Sequence, residues 1–165
     1  MHKFLPIAAA ALFAAVLSGQ TLSPNAVADL RAHFAKETDP VRKARLLGPL
    51  GDAQFQEIRR QAADGDYSAA LELVQQYRDE ARGCLKALDA KEPDPEKHPS
   101  GFKQLQISLR ASLRRVDDVI VGLAGDEQKP FMDVRKELEQ MDRHLIRELF
   151  PRQPATESEP PKPKS

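Results

Sequence analysis

The sequence predicts an all-α fold: an antiparallel up-down helical bundle of three long helices plus a broken N-terminal helical segment. Three observations carry this expectation. The prolines are clustered, and long proline-free stretches lie between the clusters. Apolar residues in those stretches recur at three- and four-residue spacing. No run rich in Val, Ile and Thr alternates with a period of two.

Each element follows from its punctuation. Ser23-Pro24 and Asp39-Pro40 pair a capping residue with proline at the first helical position, and short helices at about 24–36 and 40–47 follow. Gly48-Pro49-Leu50-Gly51 reads as a break, after which Asp52 caps a helix running to about Asp64. Gly65 is a C-terminal stop and Asp66 the next cap. From Tyr67 to Leu88 the columns Tyr67, Val74, Ala81, Leu88 and Ala70, Tyr77, Cys84 form an apolar seam. Leu71 and Leu85 widen it, while Glu72, Asp79 and Lys86 lie opposite; a stripe of that width suits a globular bundle rather than a two-stranded coiled coil.

Lys91–Gly101 carries three prolines among charged residues and reads as a loop, with Ser100 as the cap of the helix that follows. That helix has the stripe Phe102, Leu105, Leu109, Leu113, Val116, Ile120 and Leu123. Gly125-Asp126 marks a turn. The last helix starts near Gln128, has Pro130 in its first turn and the stripe Phe131, Val134, Leu138, Met141, Leu145 and Leu149, and ends at Pro151. The segments 40–63, 66–89, 100–123 and 128–149 hold 24, 24, 24 and 22 residues, or roughly 33–36 Å of helix each at 1.5 Å per residue. Matched lengths are what an up-down bundle needs. Antiparallel order places Tyr67, Leu123 and Phe131 in one end layer and Leu88, Phe102 and Leu149 in the other.

The ends of the chain read differently. Residues 1–20, MHKFLPIAAAALFAAVLSGQ, combine a basic start, an apolar stretch and small residues at Ser18 and Gly19, the three-part pattern of a secretory signal peptide. Gln20 stands where a lipoprotein would carry its acylated cysteine, so no lipid anchor is expected. Export to the periplasm or the extracellular space follows, with no stable membrane anchor after cleavage. Residues 21–150 are then the bundle domain. Residues 151–165 hold five prolines and no aliphatic side chain larger than Ala, and read as a disordered Pro/Lys/Glu tail.

Composition excludes several function classes. The 25 basic and 25 acidic residues cancel, and losing Lys3 with the leader leaves a net charge of −1. There is no global pull toward nucleic acid. Lys103, Arg110, Arg114 and Arg115 share a helix, but Asp117 and Asp118 follow at once, and the row reads as a solvated face with local ion pairs. No phosphate loop, His-Glu-x-x-His helix or Gly-x-Ser-x-Gly elbow occurs. His33 with Glu37, and His144 with Glu148, share helical faces, yet Met141 stands where a di-iron Glu-x-x-His pair needs Glu. No Cys-x-x-Cys-His attaches haem. Cys84, alone on an apolar stripe, reads as a buried structural thiol. No catalytic, cofactor-binding or metal residue is assigned.

Gly65-Asp66-Tyr67-Ser68-Ala69-Ala70-Leu71 resembles the loop and second-helix start of a tetratricopeptide repeat. That family's small residue, aromatic and closing proline fall here on Ile58, Gln61 and Arg82, and no second copy occurs. The segment is read as a tight helix–helix turn. The functional expectation is an exported, non-catalytic bundle acting through contact with a protein partner. Its rival is a periplasmic bundle holding haem, a metal or an apolar small molecule.

Overall fold

A computed structural model of the chain describes residues 24–151. The expected leader, the Ser23 cap and the tail beyond Pro151 lie outside the described residues. Five α-helices occur among them: α1 (Pro24–Lys36), α2 (Pro40–Ala63), α3 (Tyr67–Lys91), α4 (Pro99–Gly122) and α5 (Gln128–Leu149). A short 3-10 turn at Gly125–Glu127 precedes α5. No strand occurs among the described residues, and no helix there is long and apolar enough to cross a membrane.

The caps act as the sequence implies at Asp39, Gly65 and Asp66 but not at Ser100, nor at Asp52, which lies inside the continuous α2. Asp39 accepts a hydrogen bond from the Arg42 N–H at 2.9 Å and Asp66 one from the Ala69 N–H at 3.0 Å. Gly65 takes φ +81°, a left-handed conformation, and closes α2 by donating to the Ala62 carbonyl while the Asp66 N–H reaches Gln61. Ser100, expected as the α4 cap, is instead inside its first turn. Proline at the first helical position lets α4 begin at Pro99, with His98 as the flanking residue. The Ser100 hydroxyl accepts from Arg45 Nη2 at 3.3 Å.

The expected break at Gly48–Gly51 is the main correction. The N-terminal helical segment is broken once, between α1 and α2, and α2 then runs without interruption through Pro49. A proline inside a helix loses one hydrogen bond and crowds the carbonyl four residues back, at a cost of about 3 kcal/mol. Pro49 and Arg45 both stand on the exposed side of α2, where water can reach the carbonyl left without a donor. On the opposite side the same run makes a notch. A methyl group on Gly51 would lie 2.8 Å from Cε2 of Tyr77, and one on Gly48 would lie 3.5 Å from the Ser108 hydroxyl. The run that looks like a breaker is where Tyr77 of α3 and Ser108 of α4 approach the backbone of α2.

Tyr77 fills that notch. It is fully buried, donates its hydroxyl to the Ser108 carbonyl at 3.2 Å, and meets the Phe55 ring edge-on at 5.3 Å. Arg115 of α4 covers the other side of Phe55, 5.7 Å from the ring centroid. Ala44, Leu47, Leu50, Ile58, Val74, Leu88, Leu105, Leu109, Leu138 and Leu145 complete a core with no exposed surface.

Successive long helices alternate in direction. Tyr67 and Phe131 line one recess of about 390 Å³ with the α2–α3 turn, and Gln128 Nε2 donates to the Leu123 carbonyl at 2.8 Å, so these three residues share an end as expected. At the opposite end Lys91 reaches Asp39 at 2.6 Å, and Gly101 is pressed against Leu88 and Val41. The neighbours do not follow chain order around a ring. α2 packs most extensively on α3 and on α4, and α4 packs on α5. Contacts Arg45–Ser100 and Asp52–Arg115 advance together along both chains, so α2 and α4 are parallel neighbours. The 92–98 connection therefore carries the chain across the bundle, as its length permits. α1 lies on the outside, anchored by buried Phe34 beneath Lys43 at 4.9 Å.

The notch gives paired glycine substitutions of opposite sign. Gly51→Ala drives a methyl into the Tyr77 ring and should lower stability by about 1–3 kcal/mol despite alanine's better helix propensity. Gly83→Ala, in the middle of α3 with nothing within 4 Å of the added methyl, should raise it by about 0.5–1 kcal/mol. Urea denaturation of the two variants checks both signs.

Candidate functional site

A groove of about 810 Å³ opens where α1 meets the second half of α2 and the start of α3. Val27, Ala53, Ala69 and Leu73 give it an apolar floor, and Arg31, Gln54, Glu57, Arg60, Gln61, Glu72 and Gln76 bring long polar side chains. Its position follows from local sequence. The Gly65 turn folds α3 back on α2, and the small residues Ala53 and Ala69 leave room between the helices that a larger pair would fill.

Under the groove lies a polar cluster that the apolar core does not absorb. Gln54, in the middle of the buried face of α2, has no exposed surface. Its Nε2 donates to Glu80 Oε2 at 2.8 Å, and Gln76 Nε2 donates to Glu80 Oε1 at 3.3 Å. Burial pushes the Glu80 carboxyl above the ordinary range, an effect opposed by the Gln54 hydrogen bond and by the positive charge of Arg31. Gln54 Oε1 and Arg31 Nε are buried with no hydrogen-bond partner among the described residues. At the rim, Glu57 is held below the usual range, chiefly by hydrogen bonding to Arg60.

The residues singled out from sequence lie elsewhere. His33 and His98 are exposed, and Glu37 uses its carboxylate to accept from the Asp39 N–H at 2.8 Å. His144 is half-buried on α5 near Asp89 of α3, whose carboxyl is pushed above the ordinary range chiefly by burial. Among the described residues no group of three or more His, Cys, Asp or Glu is arranged to hold a metal ion. Met141 belongs to the core. Cys84 is fully buried, and burial pushes its thiol up to about 12, which leaves no reactive thiolate at neutral pH. The basic row on α4 divides. Arg110 reaches Asp142 of α5 at 3.6 Å and Arg115 pairs with Asp52 of α2, while Lys103 and Arg114 are exposed. The seven residues 65–71 form the α2–α3 turn and the start of α3; Gly65–Ser68 and Leu71 line the recess of about 390 Å³, and Ala69 lines the groove.

Gln54, Glu80 and Arg31 were not singled out from sequence. One signal was present: Gln54 falls on the helical stripe Leu47, Leu50, Gln54, Ile58, where a polar residue interrupts an apolar series.

The raised carboxyl of Glu80 makes a signed prediction. The folded state holds that proton more tightly than the unfolded chain, so this contribution to stability is present at acid pH and is lost as pH rises through the folded-state value. Glu80→Gln removes it. The stability of the variant relative to the natural chain should therefore move in the variant's favour between pH 4 and pH 7, as read by urea midpoints. A difference independent of pH would show that Glu80 is not held in its protonated form by burial.

Compared with protein-family models, with curated proteins and with solved structures, the chain finds no match.

Proposed function

We propose that this chain is an exported, non-catalytic helical bundle that acts by binding another polypeptide in the groove formed by α1, α2 and α3. The observation that carries the reading is the composition of that groove. Four small or aliphatic side chains and eight polar ones line it over about 810 Å³. The exposed lining of the groove is mainly apolar and its polar residues carry long side chains, a mixture that the apolar side chains and flanking hydrogen-bonding groups of a polypeptide match. None of the three histidines of the bundle lines it. The export half of the proposal rests on the basic, apolar and small pattern of residues 1–20, with Gln20 in place of an acylated cysteine.

One experiment tests both halves. The full chain carrying a photo-crosslinking benzoylphenylalanine at Leu73 is expressed in its native cell and irradiated. It should be recovered outside the cytoplasm, at an intact mass lacking the residues before about Ser18–Gln20, and crosslinked to a discrete polypeptide. The same probe at Lys136, exposed on α5, should give no such product. Retention of Met1–Leu17 defeats the export claim, and an absence of groove-specific crosslinks defeats the binding claim.

A further inference from the structure

Four large apolar side chains are exposed among the described residues, Ile107, Val121, Met132 and Phe150, and all four stand on α4, on α5 or at the cap that ends α5. They alternate with cations. On α4 the exposed residues Lys103, Ile107, Arg110, Arg114 and Val121 are spaced to fall within about 60° of arc on one helix face. On α5 the exposed residues Met132, Lys136, Arg143 and Arg147 fall within an arc of about 60° as well. Ion pairs show that the two rows border one seam. Arg110 reaches Asp142 of α5 at 3.6 Å, and Arg143 joins Glu139, which also holds Arg135 where it pairs with Asp117 of α4.

This side of the bundle carries no further helix among the described residues. α2 packs on α3 and α4, and α5 packs on α4 and α3, so the α4–α5 side lies across the bundle from the α2–α3 side, where α1 sits. Its charges are unbalanced in a chain that is neutral overall. Of the carboxylates bordering the rows, Asp117, Glu139 and Asp142 are held by arginines and Asp133 by Lys129. Asp118 has no ion pair among the described residues, against four cations, Lys103, Arg114, Lys136 and Arg147, that have none either.

We propose that the α4–α5 face is a peripheral membrane-binding surface that lies flat on a bilayer rich in anionic phospholipid. The basic side chains meet the phosphate headgroups, and the four apolar side chains enter the boundary between headgroups and acyl chains. Charge and spacing select this occupant. A second copy of the chain would set six exposed cations against six like ones. A protein partner gathers its strongest contacts near the centre of one patch, whereas Ile107 and Val121 stand fourteen residues apart, about 21 Å along α4. Neither row carries an aromatic side chain on which a nucleic-acid base could stack. A lipid surface takes separate side chains wherever they meet it and needs no complementary shape. The contact is reversible, involves no spanning helix, and leaves the groove on the opposite side open.

The chain contains no tryptophan, so a single introduced one reports its own surroundings. Two variants of the full chain are recovered from the native cell: Val121→Trp, and Ala28→Trp at an exposed position of α1. Each is mixed with vesicles of equal parts phosphatidylglycerol and phosphatidylcholine, and with vesicles of phosphatidylcholine alone. With the anionic vesicles Val121→Trp should emit at shorter wavelength and be quenched by brominated acyl chains, while Ala28→Trp should do neither. Sedimentation should show affinity falling about fivefold for each cation removed, hence about 25-fold in Arg114→Gln/Lys136→Gln. Binding should largely disappear as salt is raised from about 0.1 M to about 1 M, where the Debye length shrinks from about 10 Å to about 3 Å. No binding, equal binding to phosphatidylcholine alone, an equal shift in Ala28→Trp, or unchanged affinity in the double variant overturns the proposal; residues ahead of α1 carrying the chain to lipid would give the middle two. Polyglutamate binding as tightly as the vesicles without moving the Val121→Trp emission assigns the face to an acidic protein and overturns it too. Should the double variant lose its helical circular dichroism, Lys103→Gln/Arg147→Gln decides in its place, with the same expected loss.

Discussion

The bundle depends on the seating of Tyr77 against Gly51. A full-length tyrosine lies over a helix that presents no side chain at that point, and its hydroxyl bonds the backbone of a third helix. One residue of α3 thereby fixes the spacing of α2 and the height of α4. The arrangement requires α2 to be continuous, because Gly51 and Phe55 must stand on one face to meet the tyrosine ring from two sides. The hydrogen bond lost at Pro49 is thus offset by burial of two aromatic rings one turn further on. The groove inherits this geometry, since Ala53 and Gln54 are held in place by the same stretch of α2.

Much of the fold was legible in the sequence because its signals are local. Asp39-Pro40, Gly65-Asp66 and Gln128-x-Pro130 each fix a helix start or stop within one turn, and the α5 stripe from Phe131 to Leu149 is buried throughout. Pro49 misled because its consequence depends on which side of the helix it faces, and tertiary packing determines that. Ser100 misled for a smaller reason: with Pro99 available at the first helical position, the helix begins two residues earlier. The placing of α4 beside α2 was not legible, since a connection long enough to cross the bundle does not say whether it does. The groove was half legible. The sequence shows Gln54 on an apolar stripe, but Arg31 and Glu80 join it only once α1 and α3 are folded onto α2.

Charge sets the register of the outer surface. Arg78 and Arg82 of α3 share Glu137 of α5, Arg135 of α5 pairs with Asp117 of α4, and Arg115 of α4 pairs with Asp52 of α2. Each pair is partly exposed and worth no more than about 1 kcal/mol. Together they link α3 to α5, α5 to α4 and α4 to α2, which is the neighbour order of the bundle. The edge where α1 meets α2 and α3 differs, because there Gln54 Oε1 and Arg31 Nε are buried with no hydrogen-bond partner among the described residues.

Amide hydrogen exchange, read by NMR across Leu46–Gln56, tests the continuity of α2 most directly. If α2 is one helix seated on Tyr77, the amides of Leu50, Gly51, Ala53 and Phe55 exchange only through global unfolding, as slowly as those of Leu105 and Leu138 in the core. Exchange of Leu50 and Gly51 at rates typical of an open turn, with protection resuming only after Asp52, would mean that the helix is broken at Pro49 and that the notch does not form.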